Sequence, residues 1–90
     1  MTMSESSHQI KPLRVALFAG MAEAAGRRSI ELAWEGGTVG DLRTRLAAAC
    51  PAIEPLLARS GVALGDRYAR DDEAVPAAAE VAIIPPVSGG

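Results

Sequence analysis

The sequence predicts an α+β domain in which a mixed β-sheet is covered on one face by one main helix. Two early segments alternate apolar and polar residues, which is typical of half-buried strands. One central segment repeats apolar residues at steps of three and four, which is typical of an amphipathic helix. Short β-like segments separated by turn residues fill the remainder, so the predicted order of elements is β-β-α-β-β-β.

The first two strands are predicted from their alternation. The segment "LRVALFA", which starts at Leu13, places Val15 and Leu17 on one face and Phe18 on the opposite face. The segment "RSIELAW" alternates in the same way around Ile30 and should pair with the first strand. Between them, "GMAEAAGR" contains two glycines and is predicted to be a simple connection.

The main helix is predicted to run from Val39 to about Ala49. Thr38 precedes it, and Asp41 follows three residues later, as in a capping box. Pro51 disfavours a helical conformation of the residue before it and should end the helix, after which "AIEPLLAR" adds a short helical turn. The apolar stripe of the helix consists of Val39, Leu42, Leu46, Ala49 and Ile53.

The second half of the chain is predicted to hold three short strands. "VALG" and "RYAR" flank a tight turn at Gly65 and Asp66, and "DDEAVPAAA" is a loop. The last strand, "EVAIIP", runs from Glu80 to Pro85, and its wholly apolar centre suits burial on both faces or a partner on one.

Composition limits the class of protein. Ninety residues, 49% hydrophobic and 22% charged, allow one domain over residues 12–84, after a polar, Ser-rich segment (1–11) that we expect to be a flexible tail. A net charge of −2 without a basic cluster argues against nucleic-acid binding. We expect no membrane association, because neither an apolar run of membrane length nor a signal peptide is visible. A single cysteine, Cys50, excludes a multi-cysteine metal site and fits a cytoplasmic protein, so we expect no metal.

The sequence ends in "IIPPVSGG", which is unusual for a frayed terminus. Pro85 and Pro86 fix their φ angles, whereas Gly89 and Gly90 lack side chains and adopt a wide range of backbone angles. We therefore expect residues 85–90 to form an extended tail of at most about 20 Å that threads into the active site of another protein.

From Leu13 onward, the chain resembles the family of small subunits of molybdopterin synthase. The members of this family are sulfur carriers with the ubiquitin-like β-grasp fold. The resemblance is carried by "VALFAGMAEAAGR", "TVGDLRTRLAA" and the ending "VAIIPPVSGG". It implies that Gly90 carries an acyl-adenylate and then a thiocarboxylate, and that Gly89 allows passage into the partner active sites. The sulfur would be donated to cyclic pyranopterin monophosphate to form the molybdopterin dithiolene.

The resemblance also implies partners rather than a bound cofactor. These are the large subunit of molybdopterin synthase, in a heterotetramer, and a ubiquitin-activating-like adenylyltransferase that uses ATP. The carrier is expected to be non-catalytic alone, since the sequence shows no acid–base pair or activated nucleophile. The expected partner-binding residues are Phe18, Tyr68, Ile84, Pro85, Pro86, Val87 and Ser88.

Two alternatives remain open at the level of sequence. The chain could carry sulfur for another pathway, such as thiazole, cysteine or tRNA thiolation. It could also be a ubiquitin-like protein modifier, although the only lysine, Lys11, lies in the predicted N-terminal tail.

Overall fold

The computed structural model of the chain describes residues 12–86. The predicted N-terminal tail (1–11) and the last four residues (87–90) lie outside this range. Within it, one mixed sheet contains β1 (Pro12–Leu17), β2 (Ser29–Ala33), β3 (Gly61–Leu64), β4 (Arg67–Ala69) and β5 (Val81–Ile84). The helical segments are α1 (Ala19–Ala25), α2 (Val39–Ala49), a 3₁₀ turn (Pro51–Ile53) and α3 (Glu54–Leu57). The predicted fold class and the predicted order of the strands are confirmed.

The last strand lies in the middle of the sheet, whose order is β2-β1-β5-β3-β4. β5 runs parallel to β1, with Val15 opposite Val81, and antiparallel to β3, with Gly61 opposite Ile84. Two antiparallel pairs, β1 with β2 and β3 with β4, complete the sheet. Pro85 and Pro86, the last described residues, therefore follow the end of the central strand.

Helix α2 has the predicted bounds and the predicted cap. The Asp41 backbone N–H donates to Thr38 Oγ1 at 3.1 Å, and the Thr38 N–H donates to the Asp41 carboxylate at 2.9 Å. The helix buries Val39, Leu42 and Leu46. The assignment of Ala49 to the apolar stripe is wrong, because Ala49 is exposed. In that last turn, the half-buried Cys50 packs against the core instead.

The segment "GMAEAAGR", which was predicted to be a connection, forms most of α1. This corrects the prediction of one main helix, because α1 is an additional helix. Alanine has the highest helix propensity, and this segment is rich in it. Met21 points into the core and is fully buried. Gly26 then ends the helix in the left-handed conformation (φ 73°), with its N–H donating to the Ala22 carbonyl at 2.9 Å. The second glycine is therefore a helix stop.

The core lies between the sheet and α2 and is mainly aliphatic. Val15, Leu17 and Ile30 are buried, as the alternation predicts. The single tryptophan, Trp34, is also buried, and its Nε1 donates to the Val75 carbonyl at 2.9 Å. None of the helices between residues 12 and 86 is long and apolar enough to cross a membrane. In the described part of the chain, no helix covers the opposite face of the sheet.

Candidate functional site

The uncovered face of the sheet is built from small side chains at its centre. Ala16 of β1 lies opposite Ala82 of β5, and Ala82 lies opposite Ala63 of β3. Ala63 in turn lies opposite Tyr68 of β4, which is 64% exposed. The row of alanines therefore leaves a shallow surface, and a large aromatic ring stands beside it.

The ring of Tyr68 is held close to the sheet because position 61 has no side chain. A Cβ on Gly61 would lie 2.6 Å from Cε1 and 2.9 Å from Cδ1 of Tyr68. Gly61 is also the register partner of Ile84. Tyr68 thus extends across the start of β3 toward the end of β5.

A groove lies at the end of the sheet where β5 leaves it. One wall comes from the β1–α1 connection and another from the C-terminal end of β5, while the α3 region closes the third side. The groove has a volume of about 570 Å³. Its lining residues are Phe18, Ala19, Gly20, Leu56, Arg59, Ile84, Pro85 and Pro86.

Phe18 is exposed at this groove for a local reason. The alternation of β1 directs Val15 and Leu17 into the core, which leaves Phe18 on the other side, 50% exposed. Ala19 follows with a φ of 49°, an uncommon value for a non-glycine residue. This turn starts α1 at once, so Phe18 lies at the edge of the sheet.

The structure brings most of the predicted partner-binding residues to one end of the sheet. Phe18, Ile84, Pro85 and Pro86 line the same groove, and Tyr68 lies over Gly61, the register partner of Ile84. Their role in binding a partner stays a prediction. The other predicted site residues lie outside the described residues, namely Val87, Ser88, Gly89 and Gly90.

The sequence analysis missed five residues of this region: Ala19, Gly20, Leu56, Arg59 and Gly61. Leu56 and Arg59 belong to "AIEPLLAR", which was predicted only to add a helical turn. One signal was available for Gly61, since a glycine at the start of a strand often marks a close approach of another group. No local pattern reveals that α3 packs beside Phe18.

None of the ion pairs that join described residues includes a residue that lines the groove. Arg67 of β4 and Glu73 of the loop that follows this strand are 3.0 Å apart. Their hydrogen bond lowers the pKa of the Glu73 carboxyl below its ordinary value and raises the pKa of Arg67. Among residues 12–86, no three His, Cys, Asp or Glu side chains are clustered as a metal site.

Known proteins match this chain over nearly its whole length. The model of the ThiS family matches residues 15–90. The molybdopterin synthase sulfur carrier subunit of Chlamydomonas reinhardtii is 39% identical over 82 residues, which cover 87% of this chain and 98% of that protein. The small archaeal modifier protein 1 of Haloferax volcanii is 39% identical over 83 residues, which cover 82% and 95% of the two chains.

A solved structure confirms the fold. The crystal structure of SAMP1 from Haloferax volcanii superimposes with a TM-score of 0.79 at 34% sequence identity. The match covers 89% of this chain and all of the other. The five-stranded mixed sheet of this chain, with its last strand at the centre and α2 on one face, is the ubiquitin-like β-grasp fold. The chain belongs to the ThiS family.

Proposed function

We propose that this protein is the sulfur-carrying small subunit of molybdopterin synthase. The observation that carries the proposal is the 39% identity to such a subunit over 98% of that subunit's length. The position of β5 supports it, because the chain passes from the central strand directly through Pro85 and Pro86 toward the terminal glycines. A folded domain whose central strand leads into a Gly-Gly sequence suits a carrier that works inside other proteins.

The chemistry requires an activated carboxylate at Gly90. A separate adenylyltransferase joins the carboxylate to ATP as an acyl-adenylate and releases pyrophosphate. Sulfide then displaces AMP and leaves a thiocarboxylate. Where the donor is a persulfide, displacement of AMP gives an acyl disulfide, and a second thiol cleaves its S–S bond, releases the thiocarboxylate and ends in a disulfide with the donor thiol. In the large subunit, the nucleophilic sulfur is transferred to the pterin precursor, and water restores the carboxylate. The carrier supplies no catalytic side chain in these steps. Sulfur transfer of this kind fits a cytoplasmic location, because thiols stay reduced there.

The exposed aromatic residues form a docking patch in this proposal. Phe18 and Tyr68 are the exposed large hydrophobic residues between positions 12 and 86, and the half-buried Ile84 lies between them. Exposed apolar side chains gathered in one region are typical of a partner surface. The patch adjoins the base of the tail, so docking there fixes where the tail enters the partner.

The decisive experiment combines intact mass measurement with single-turnover chemistry. The carrier is incubated with ATP, an activating enzyme and a sulfur source, and its mass should rise by the difference between sulfur and oxygen. The modified carrier is then mixed with purified large subunit and pterin precursor, and dithiolene product should form. A carrier that gains sulfur but delivers none to the large subunit would instead point to another thiolation pathway.

A second candidate function is protein modification. The 39% identity to a small archaeal modifier protein favours it specifically. The described domain contains no lysine, because Lys11 is the single lysine of the chain, so polymers linked through the folded domain cannot form. Single conjugation through Gly90 is compatible with the sequence. Mass spectrometry of cell extracts for isopeptide-linked Gly90 tests this function.

A further inference from the structure

We infer that the groove beside Arg59 receives an apolar segment that carries a carboxylate, contributed by the large subunit of molybdopterin synthase. The inference rests on the proposed function, which identifies that subunit as the receiver of the tail. It adds Arg59 and Leu56 to the predicted docking patch. It also predicts that the partner surface carries a negative charge, and the apolar patch alone does not predict any charge.

The position of the groove requires any receiver of the tail to approach it. Pro85 and Pro86 line the groove and are also the first residues of the predicted tail. Four residues follow Pro86, and they span at most about 14 Å when fully extended. An active site that acts on the Gly90 carboxyl group must therefore have walls close to Pro86 and the groove.

Among the described residues that line the groove, one side chain is charged, and that charge is positive. Arg59 is exposed, and it takes part in none of the ion pairs that join described residues. None of the described residues that line the groove is acidic. A docked apolar segment would strip water from the guanidinium, and an unpaired buried charge is expensive. A partner carboxylate removes this penalty, since the planar guanidinium accommodates two parallel N–H···O bonds.

The backbone around Arg59 is fixed before any partner binds. Arg43 of α2 donates to the carbonyl oxygens of Leu57 at 2.7 Å and of Ser60 at 2.8 Å, on either side of Arg59. Ser60 Oγ donates to the Leu56 carbonyl at 2.8 Å, and the Arg59 N–H donates to the same carbonyl at 3.0 Å. A cation on a rigid segment loses less conformational entropy on binding, which suits a recognition role.

The test measures the affinity of carrier variants for purified large subunit by isothermal titration calorimetry. Arg59→Gln should weaken binding by about 30-fold or more, the loss expected when one partner of a buried charge pair is removed. Arg59→Glu should weaken it further, and Arg59→Lys should retain part of the affinity. Arg27→Glu is the matched control, because Arg27 is exposed between α1 and β2 and does not line the groove.

The outcomes separate this inference from the proposed function. If wild-type carrier fails to bind the large subunit, both are overturned. If wild type binds and Arg59→Glu binds equally well, only the groove assignment is overturned. Equal weakening by Arg59→Glu and Arg27→Glu would indicate long-range steering rather than a local pair, and it would also overturn the assignment. Fluorescence of the buried Trp34 verifies that each variant is folded.

Discussion

Replacing Gly61 by alanine tests whether the orientation of Tyr68 shapes the docking patch. The added Cβ would lie 2.6 Å from Cε1 of Tyr68. Non-bonded carbon atoms prefer separations of about 3.5–4.0 Å, so the ring edge has to move by about 1 Å. The φ angle of Gly61 is not in the positive range, so alanine introduces no backbone strain there. The ring is 64% exposed and is free to swing into solvent.

The effect should appear in binding rather than in folding. We expect the free energy of unfolding to change by less than about 1 kcal/mol, because an exposed ring contributes little packing. Affinity for the large subunit should fall by up to about 30-fold, since truncating an aromatic anchor typically costs about 2 kcal/mol or more. Calorimetric titration measures the loss. In a Tyr68→Ala background, Gly61→Ala should have no further effect, and additive losses would refute the reasoning.

Three further predictions concern the core, the tail and pH. Leu46→Ala should lower the free energy of unfolding by about 2–5 kcal/mol, because Leu46 is fully buried on the core-facing side of α2 and its truncation leaves a cavity. Urea unfolding followed by Trp34 fluorescence measures the loss, and a loss below about 0.5 kcal/mol would contradict the prediction. Deletion of Gly90 should abolish sulfur transfer to the precursor while leaving the unfolding midpoint almost unchanged; continued transfer would redirect attention to the sole thiol, Cys50. The lowered pKa of Glu73 means that its ion pair with Arg67 stabilises the fold above the ordinary value of 4.5, and that this contribution disappears as the pH falls through the folded-state pKa. Glu73→Gln should therefore flatten the acid side of the stability profile, and an unchanged profile would show that the pair contributes nothing.

Periodicity in the sequence predicted the strands and the helix that bury one face and expose the other. β1, β2 and α2 each present one apolar face, and the capping pair Thr38 and Asp41 marks where α2 begins. Helix α1 was not predicted, because the two glycines of its segment are typical of a connection. Gly26 in fact stops the helix, a role that a left-handed residue performs at many helix ends.

The candidate site was predictable only in part. The exposure of Phe18 follows from strand alternation, which is a local property of the chain. The groove depends on the packing of α3 beside Phe18 and Ile84, and such long-range placement has no signature in a single sequence. The approach of Tyr68 to Gly61 likewise depends on the β3–β4 register.

The central position of β5 has a consequence for how the protein is made. Ribosomal synthesis delivers β1 first and β5 last, yet these two strands are neighbours in the sheet. A nascent or prematurely ended chain without Val81–Ile84 leaves the facing edges of β1 and β3 unpaired. Unpaired inner edges are sites of aggregation, so such chains are targets for quality control. Folding must wait until the ribosome has reached the residues that lead into Pro85 and Pro86.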